Sequence, residues 1–154
     1  MERTHEKVKK ILEKYNVNAK HLVLNQTCHS VKEAAEVTNA QVTDFVKNIC
    51  MMDSNDNLIV AIVKGEHRDS TSRVGKGLDI NRPRLADEEE VFEQTGFPPG
   101  GVPSFGFKGK FLIDLKVMEM DFIYTVGGSE KSLVKINTQD LVKLNQGEII
   151  RVRK

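Results

Sequence analysis

The sequence predicts an α+β fold: a single domain over residues 1–154, built as a curved mixed β-sheet flanked by helices. Three observations predict it. Strand-like runs outnumber helical ones, and several strands are consecutive. Two capping-box signatures mark helix starts between them. The chain has 154 residues, 39% hydrophobic and 29% charged, an ordinary globular mix long enough for one sizeable core. No internal repeat, linker or low-complexity segment interrupts it.

The elements follow in order. From Glu2 to about Tyr15, Val8, Ile11, Leu12 and Tyr15 recur at helical spacing, with Glu6 and Lys10 as a supporting i,i+4 pair on a solvated face. "KHLVLN" at 20–25 reads as a short strand. Ser30 and Glu33 frame a capping box, S-V-K-E, opening a helix through about Val37. "DFVKNICMM" at 44–52 and "NLIVAIVKG" at 57–65 are apolar runs separated by the turn signal "DSND", which predicts a hairpin of buried strands. Residues 70–78 form a weak helix candidate, and "PRLA" a brief strand. Asp87 and Glu90 make a second capping box before the helix "EEEVFEQT", which stops at Gly96. "KFLIDL" at 110–115, "DFIYTVGG" at 121–128 and "SLVKIN" at 132–137 are strand-like. Thr138 then caps a short helix, "QDLVKL", and "EIIRVR" closes the chain as a strand.

The net charge is only +1, so contact with a nucleic acid must rest on a local patch. Residues 64–84 supply the best one. Lys64, Arg68, Arg73, Lys76, Arg82 and Arg84 outnumber Glu66, Asp69 and Asp79, and this is either a nucleic-acid backbone contact or a solvated surface. No apolar run approaches a membrane span, and "MERTHEKVKK" lacks the apolar core of a signal peptide, so the expectation is a cytoplasmic protein with no membrane partner. Cys28 and Cys50 match no zinc spacing, and the four histidines are scattered; no metal or other cofactor is expected. Cys28 beside His29 carries little weight as a nucleophile and base, because neighbours on an extended segment point apart.

The most informative stretch is "TGFPPGGVPSFGF", residues 95–107. It holds Pro98, Pro99 and Pro103 with Gly96, Gly100, Gly101 and Gly106, and neither helix nor ordinary strand tolerates that density. A stiff loop of this kind presents backbone N–H groups at fixed positions to an anion or a developing oxyanion. It equally serves as a long rigid connection. Phe97, Phe105 and Phe107 either anchor the loop to the core or offer an apolar wall.

"TGFPPGGVPSFG" resembles the signature loop of the YbaK and prolyl-tRNA synthetase-associated editing domain family, whose members are aminoacyl-tRNA deacylases. "HSVKEAAE", "QVTDFVKNICMM", "NLIVAIVKGEHRDS", "RLADEEEVFEQTG" and "YTVGGSEKSLVKINTQDLVKL" resemble the family's other segments in the same order, covering most of the chain after about residue 20. Two places depart from the pattern. Ser104 or Phe105 stands where the loop register puts a proline, and Asn48 stands where many relatives carry a small hydroxyl residue.

The resemblance implies a freestanding editing hydrolase that removes a small amino acid, such as Cys, Ala or Ser, from a mischarged tRNA. A placed water attacks the ester with the substrate's own assistance. Lys47 is implied as the essential lysine; by pattern alone it is equally an edge lysine that snorkels to water. Backbone N–H groups around Gly100 and Gly101 are the candidate oxyanion hole. Substrate-binding candidates are Phe97, Ser104, Phe105, Asp114, Gly127, Gly128 and Ser129; Asp114 also fits a polar strand end, and the glycines a plain hairpin turn. The expected partners are the aminoacyl-tRNA acceptor end and, in addition, an aminoacyl-tRNA synthetase; DNA is not one. Two alternatives remain open: a catalytically silent relative that binds a small aminoacyl or nucleotide ligand, and a synthetase-docking module.

Overall fold

The computed structural model describes residues 4–26, 28 and 30–154. Its strands divide between two sheets rather than one. A three-stranded antiparallel sheet contains β1 (Ala19–Val23), β7 (Ser132–Asn137) and β6 (Phe122–Val126), in that order. A five-stranded mixed sheet has the order β4 (Arg84–Leu85), β2 (Val46–Met52), β3 (Leu58–Lys64), β5 (Lys110–Ile113) and β8 (Glu148–Ile149). The β2–β3 hairpin is antiparallel, whereas β5 runs parallel to β3 and β8 parallel to β5. A bridge between Phe45 and Tyr124 joins the sheets, and the two rings stack with centroids 4.9 Å apart.

Side-chain alternation explains the layering. On β2 and β3, Val46, Cys50, Met52, Leu58, Val60 and Ile62 enter a central core between the sheets, together with Val134 and Ile136 of β7. Their neighbours Met51, Ile59, Ala61 and Val63 point the other way, onto α3 (Thr71–Leu78) and the C-terminal segment. The hairpin is therefore buried on both faces, which is why its sequence is continuously apolar. On the far side of the small sheet, Leu133 and Phe45 pack on Ala34 and Ala35 of α2 (Val31–Thr38). Helix α1 (Thr4–Tyr15) contributes Val8, Ile11 and Leu12 to the central core, as its periodicity predicts.

Local signals account for the helix ends. The Ser30 hydroxyl accepts from the Glu33 N–H and caps α2. Both halves of the Asp87/Glu90 capping box are present on α4 (Glu88–Thr95), which ends at Gly96 with φ +78°. At α5 (Thr138–Asn145) the expectation needs correcting. Asn137 is the cap, its Oδ1 accepting from the Asp140 N–H, while Thr138 turns inward and donates to the Met120 carbonyl. The closing strand is also shorter than expected. Only Glu148 and Ile149 pair with β5, because beyond them the Asp114 carboxylate takes the N–H groups of Val152 and Arg153.

Candidate functional site

Strand β4 pairs with β2 only at Met51 and Met52. Beside the remaining edge of β2 lies a pocket of about 340 Å³. Three segments frame it: β2 with Lys47 and Asn48, the glycine loop with Pro99, Gly100 and Val102, and the β6–β7 turn with Ser129 and Glu130. Val31 and Ala34 of α2, with Phe45 and Leu133, supply an apolar wall. A larger groove of about 990 Å³ runs past Asp53, Glu93 and Lys108 but contains neither Lys47 nor the loop glycines.

Lys47 is half-buried at the head of the β2 face that continues through Ile49 and Met51. Among the described residues, its ammonium has no hydrogen bond or ion pair. It is a cation on a pocket wall with its bonding capacity unspent.

The loop's two central glycines have different tasks. The single helical turn Pro99–Gly101 brings Gly100 to the pocket surface, with the Glu130 side chain lying over its Cα. Gly101 is buried and faces away. A Cβ there would come within 2.7 Å of the Gly128 carbonyl oxygen and 2.8 Å of Ser129 Cα. Its N–H already donates to the Pro98 carbonyl at 2.8 Å. The expectation that both glycines offer free donors is therefore narrowed to Gly100: the turn that presents Gly100 uses up the Gly101 N–H.

The other candidates spread more widely than the sequence suggested. Phe97 and Phe105 are core residues, 2% and 0% exposed, and anchor the loop rather than line the pocket. Gly127 and Gly128 are buried behind it: Gly127 donates to the Ser132 carbonyl, and Gly128 packs on the backbone of Thr4 and His5. Ser129 lines the pocket.

Asp114 is fully buried away from the pocket. It accepts from the Lys116, Val152 and Arg153 N–H groups and pairs with the Arg153 guanidinium at 2.8 Å. Burial pushes its pKa up, but these hydrogen bonds outweigh that and hold it below the usual aspartate value. It staples the C-terminal segment to the end of β5.

Ser104 is fully buried behind the pocket wall and meets the residue that sequence reading singled out only as a departure. Its hydroxyl donates to Asn48 Oδ1 at 2.6 Å and lies 2.8 Å from Thr125 Oγ1. The Asn48 amide nitrogen donates to the Val102 carbonyl at 3.0 Å and to Thr125 Oγ1 at 2.9 Å. The two departures from the family pattern thus pair with each other, and Asn48 ties β2, the loop and β6 together. Glu130 was missed because nothing in its local sequence sets it apart.

Cys28 lines the pocket, but burial, and then the charge of Glu33, raise its pKa, so it stays a thiol at neutral pH. His29 lies outside the described residues, and so does the Cys28–His29 pairing. The basic patch is partly engaged. Lys64 pairs with Glu66 at 2.8 Å, and Arg84 grips Glu90 through two bonds of 2.7 Å. Arg68, Arg82 and Lys154 line a separate groove of about 670 Å³. Among the described residues, no helix is long and apolar enough to cross a membrane.

Comparison with known proteins agrees with this architecture. The chain is 27% identical over 109 residues to a proline–tRNA ligase of Geotalea daltonii, a match covering 70% of this chain and 19% of the ligase. It therefore spans about a fifth of that enzyme's length. It is 20% identical over 122 residues to YwhH, an uncharacterized protein of Bacillus subtilis, covering 78% of this chain and 77% of that one. Among solved structures, one described as a proposed trans-editing enzyme for prolyl tRNA synthetase superposes with a TM-score of 0.90 at 23% identity, covering 100% of this chain and 99% of the other. The model of the aminoacyl-tRNA editing domain matches residues 25–144, and the chain belongs to that family.

Proposed function

We propose that the protein is an aminoacyl-tRNA deacylase that hydrolyses the ester of a mischarged small amino acid. The observation that carries this reading is the pocket in which Lys47 and Gly100 face one substrate-sized space. At about 340 Å³ it lies at the small end of ligand pockets, in keeping with a small acyl group on a terminal adenosine.

Water attacks the acyl carbon, and its oxygen becomes part of the new carboxylate. The bond from that carbon to the ribose oxygen breaks, and the ribose hydroxyl recovers a proton. The products are a free amino acid and an uncharged tRNA. Negative charge collects on the carbonyl oxygen in between, and in this reading the Gly100 N–H receives it. Losing one such donor typically costs about 2.7–4 kcal/mol of transition-state stabilisation. Lys47 supplies the compact positive charge, set against the phosphate or the acyl carbonyl of the acceptor end. The substrate's own hydroxyl holds the water, so the pocket needs no strong base.

The partners in this reading are the acceptor end of an aminoacyl-tRNA and a synthetase, met in the cytoplasm. The Arg68, Arg82 and Lys154 groove is the surface proposed for the RNA backbone. A panel of mischarged tRNAs tests the proposal. Release of a small amino acid from at least one of them is the expected result. Binding of the acceptor end without release would mark a silent relative, and binding only to a synthetase would mark a docking module.

A further inference from the structure

The pocket carries a negative charge as well as a positive one. Glu130 sits on the β6–β7 turn, and its side chain lies across the open face of Gly100. A Cβ on that glycine would collide with Glu130 Oε1 and stand 3.0 Å from its Cγ.

The turn that presents Glu130 is tied down. Ser132 N–H donates to the Ser129 carbonyl, and Lys131 N–H to Ser129 Oγ. Cys28 N–H donates to the Glu130 carbonyl at 2.8 Å, and Leu24 N–H to the Lys131 carbonyl at 2.6 Å. Lys47 lines the same pocket without pairing to Glu130. The two residues stand on different walls, Lys47 on β2 and Glu130 on the β6–β7 turn.

We infer that Glu130 binds the α-ammonium of the aminoacyl group and so restricts the substrate class to esters with a free α-amine. This assignment rests on the deacylase reading. When the ester carbonyl points at the Gly100 N–H, the α-carbon lies one bond and its ammonium two bonds from the carbonyl carbon, beside that same glycine. The Glu130 carboxylate is already there. An ammonium donates a charge-assisted hydrogen bond to it, whereas an N-acyl group carries no such charge and adds bulk at that position. N-blocked esters, including peptidyl esters, are thereby excluded from a pocket that accepts free aminoacyl ends.

The test uses the aminoacyl-tRNA that the wild type hydrolyses fastest in the panel, together with its N-acetylated form. Wild type and Glu130→Gln are compared by single-turnover hydrolysis and titrated for KM, with melting curves run alongside. Wild type is expected to lose about tenfold to a hundredfold in rate on acetylation, the scale of a hydrogen bond to a charged group. Glu130→Gln is expected to lose a comparable factor on the free-amine substrate, chiefly through KM, and to discriminate little between the two esters at an unchanged melting temperature. If wild type ignores acetylation, or if both proteins discriminate equally, Glu130 has no such role. Should the wild type hydrolyse no member of the panel, the deacylase reading falls and this assignment falls with it.

Discussion

Asn48 shows how one side chain can hold a site without touching the chemistry. Its amide bonds the Val102 carbonyl, the Ser104 hydroxyl and Thr125 Oγ1, so it fixes the glycine loop relative to the strand that bears Lys47. Asn48→Ala leaves these partners short of bonds in a buried place. The expected cost is about 1–3 kcal/mol of stability, with a loss of turnover of at least roughly tenfold as the loop shifts. Thermal melting and deacylation rates on the same preparation check both; unchanged turnover would show that the loop holds itself. Cys28 makes the opposite prediction. Its thiol is held protonated by burial, so Cys28→Ser should keep wild-type turnover. A large loss would restore a nucleophilic role that its pKa argues against.

At the scale of the element, the glycine loop has an inward and an outward glycine. Gly101→Val forces a branched side chain into the Gly128–Ser129 backbone, which cannot yield. It should cost more than about 3 kcal/mol and lower the melting temperature sharply. Gly100→Ala meets only the Glu130 side chain, which can swing aside, so the fold should survive while turnover falls. Equal melting temperatures for the two variants would contradict this division of tasks. The loop was legible as a loop from its prolines and glycines. Which glycine faced the pocket was not, since that depends on the β6–β7 turn packed against it from far along the chain. Helix ends show the same limit. Gly96 announced the end of α4, but α3 and α5 end on Asp79 and Gln146 in the left-handed conformation, and residues of those types mark no boundary by themselves.

The C-terminal segment is an element held by one side chain. Asp114 has a folded-state pKa below that of the unfolded chain, about 3.9. Its ionised form therefore contributes stability that is fully present above about pH 4 and is lost as the pH falls through the folded value. In Asp114→Asn that acid-dependent part should vanish, at a cost near neutral pH of about 3 kcal/mol for a broken buried ion pair. Denaturant melts from pH 7 down to pH 2 would show a shallower acid slope in the variant; parallel curves would remove Asp114 as the staple.

For the whole molecule, the α+β class and most elements follow from apolar periodicity and the capping boxes, because these are local signals. The division into two sheets does not. It arises where β6 meets the chain at Phe45 and where β4 pairs with only the last two of the seven β2 residues, both long-range pairings. The pocket lies beside the remaining edge of β2, so Lys47 and Gly100 could be singled out by motif, whereas Glu130 and the bonding of Asn48 required the packed structure. The described residues hold no group of three or more His, Cys, Asp or Glu side chains placed to share an ion.

The central claim is that Lys47 acts on the acyl-adenosine end in the pocket closed by Gly100. Single-turnover deacylation of a matched mischarged tRNA by wild type, Lys47→Ala and Lys47→Arg tests it most directly, with melting curves to exclude misfolding. Lys47→Ala is expected to abolish turnover while the fold persists. Lys47→Arg should rescue poorly, since a planar guanidinium does not replace a compact ammonium in a small pocket. Near-equal rates for all three proteins would contradict the account and leave Lys47 as an edge lysine reaching for water.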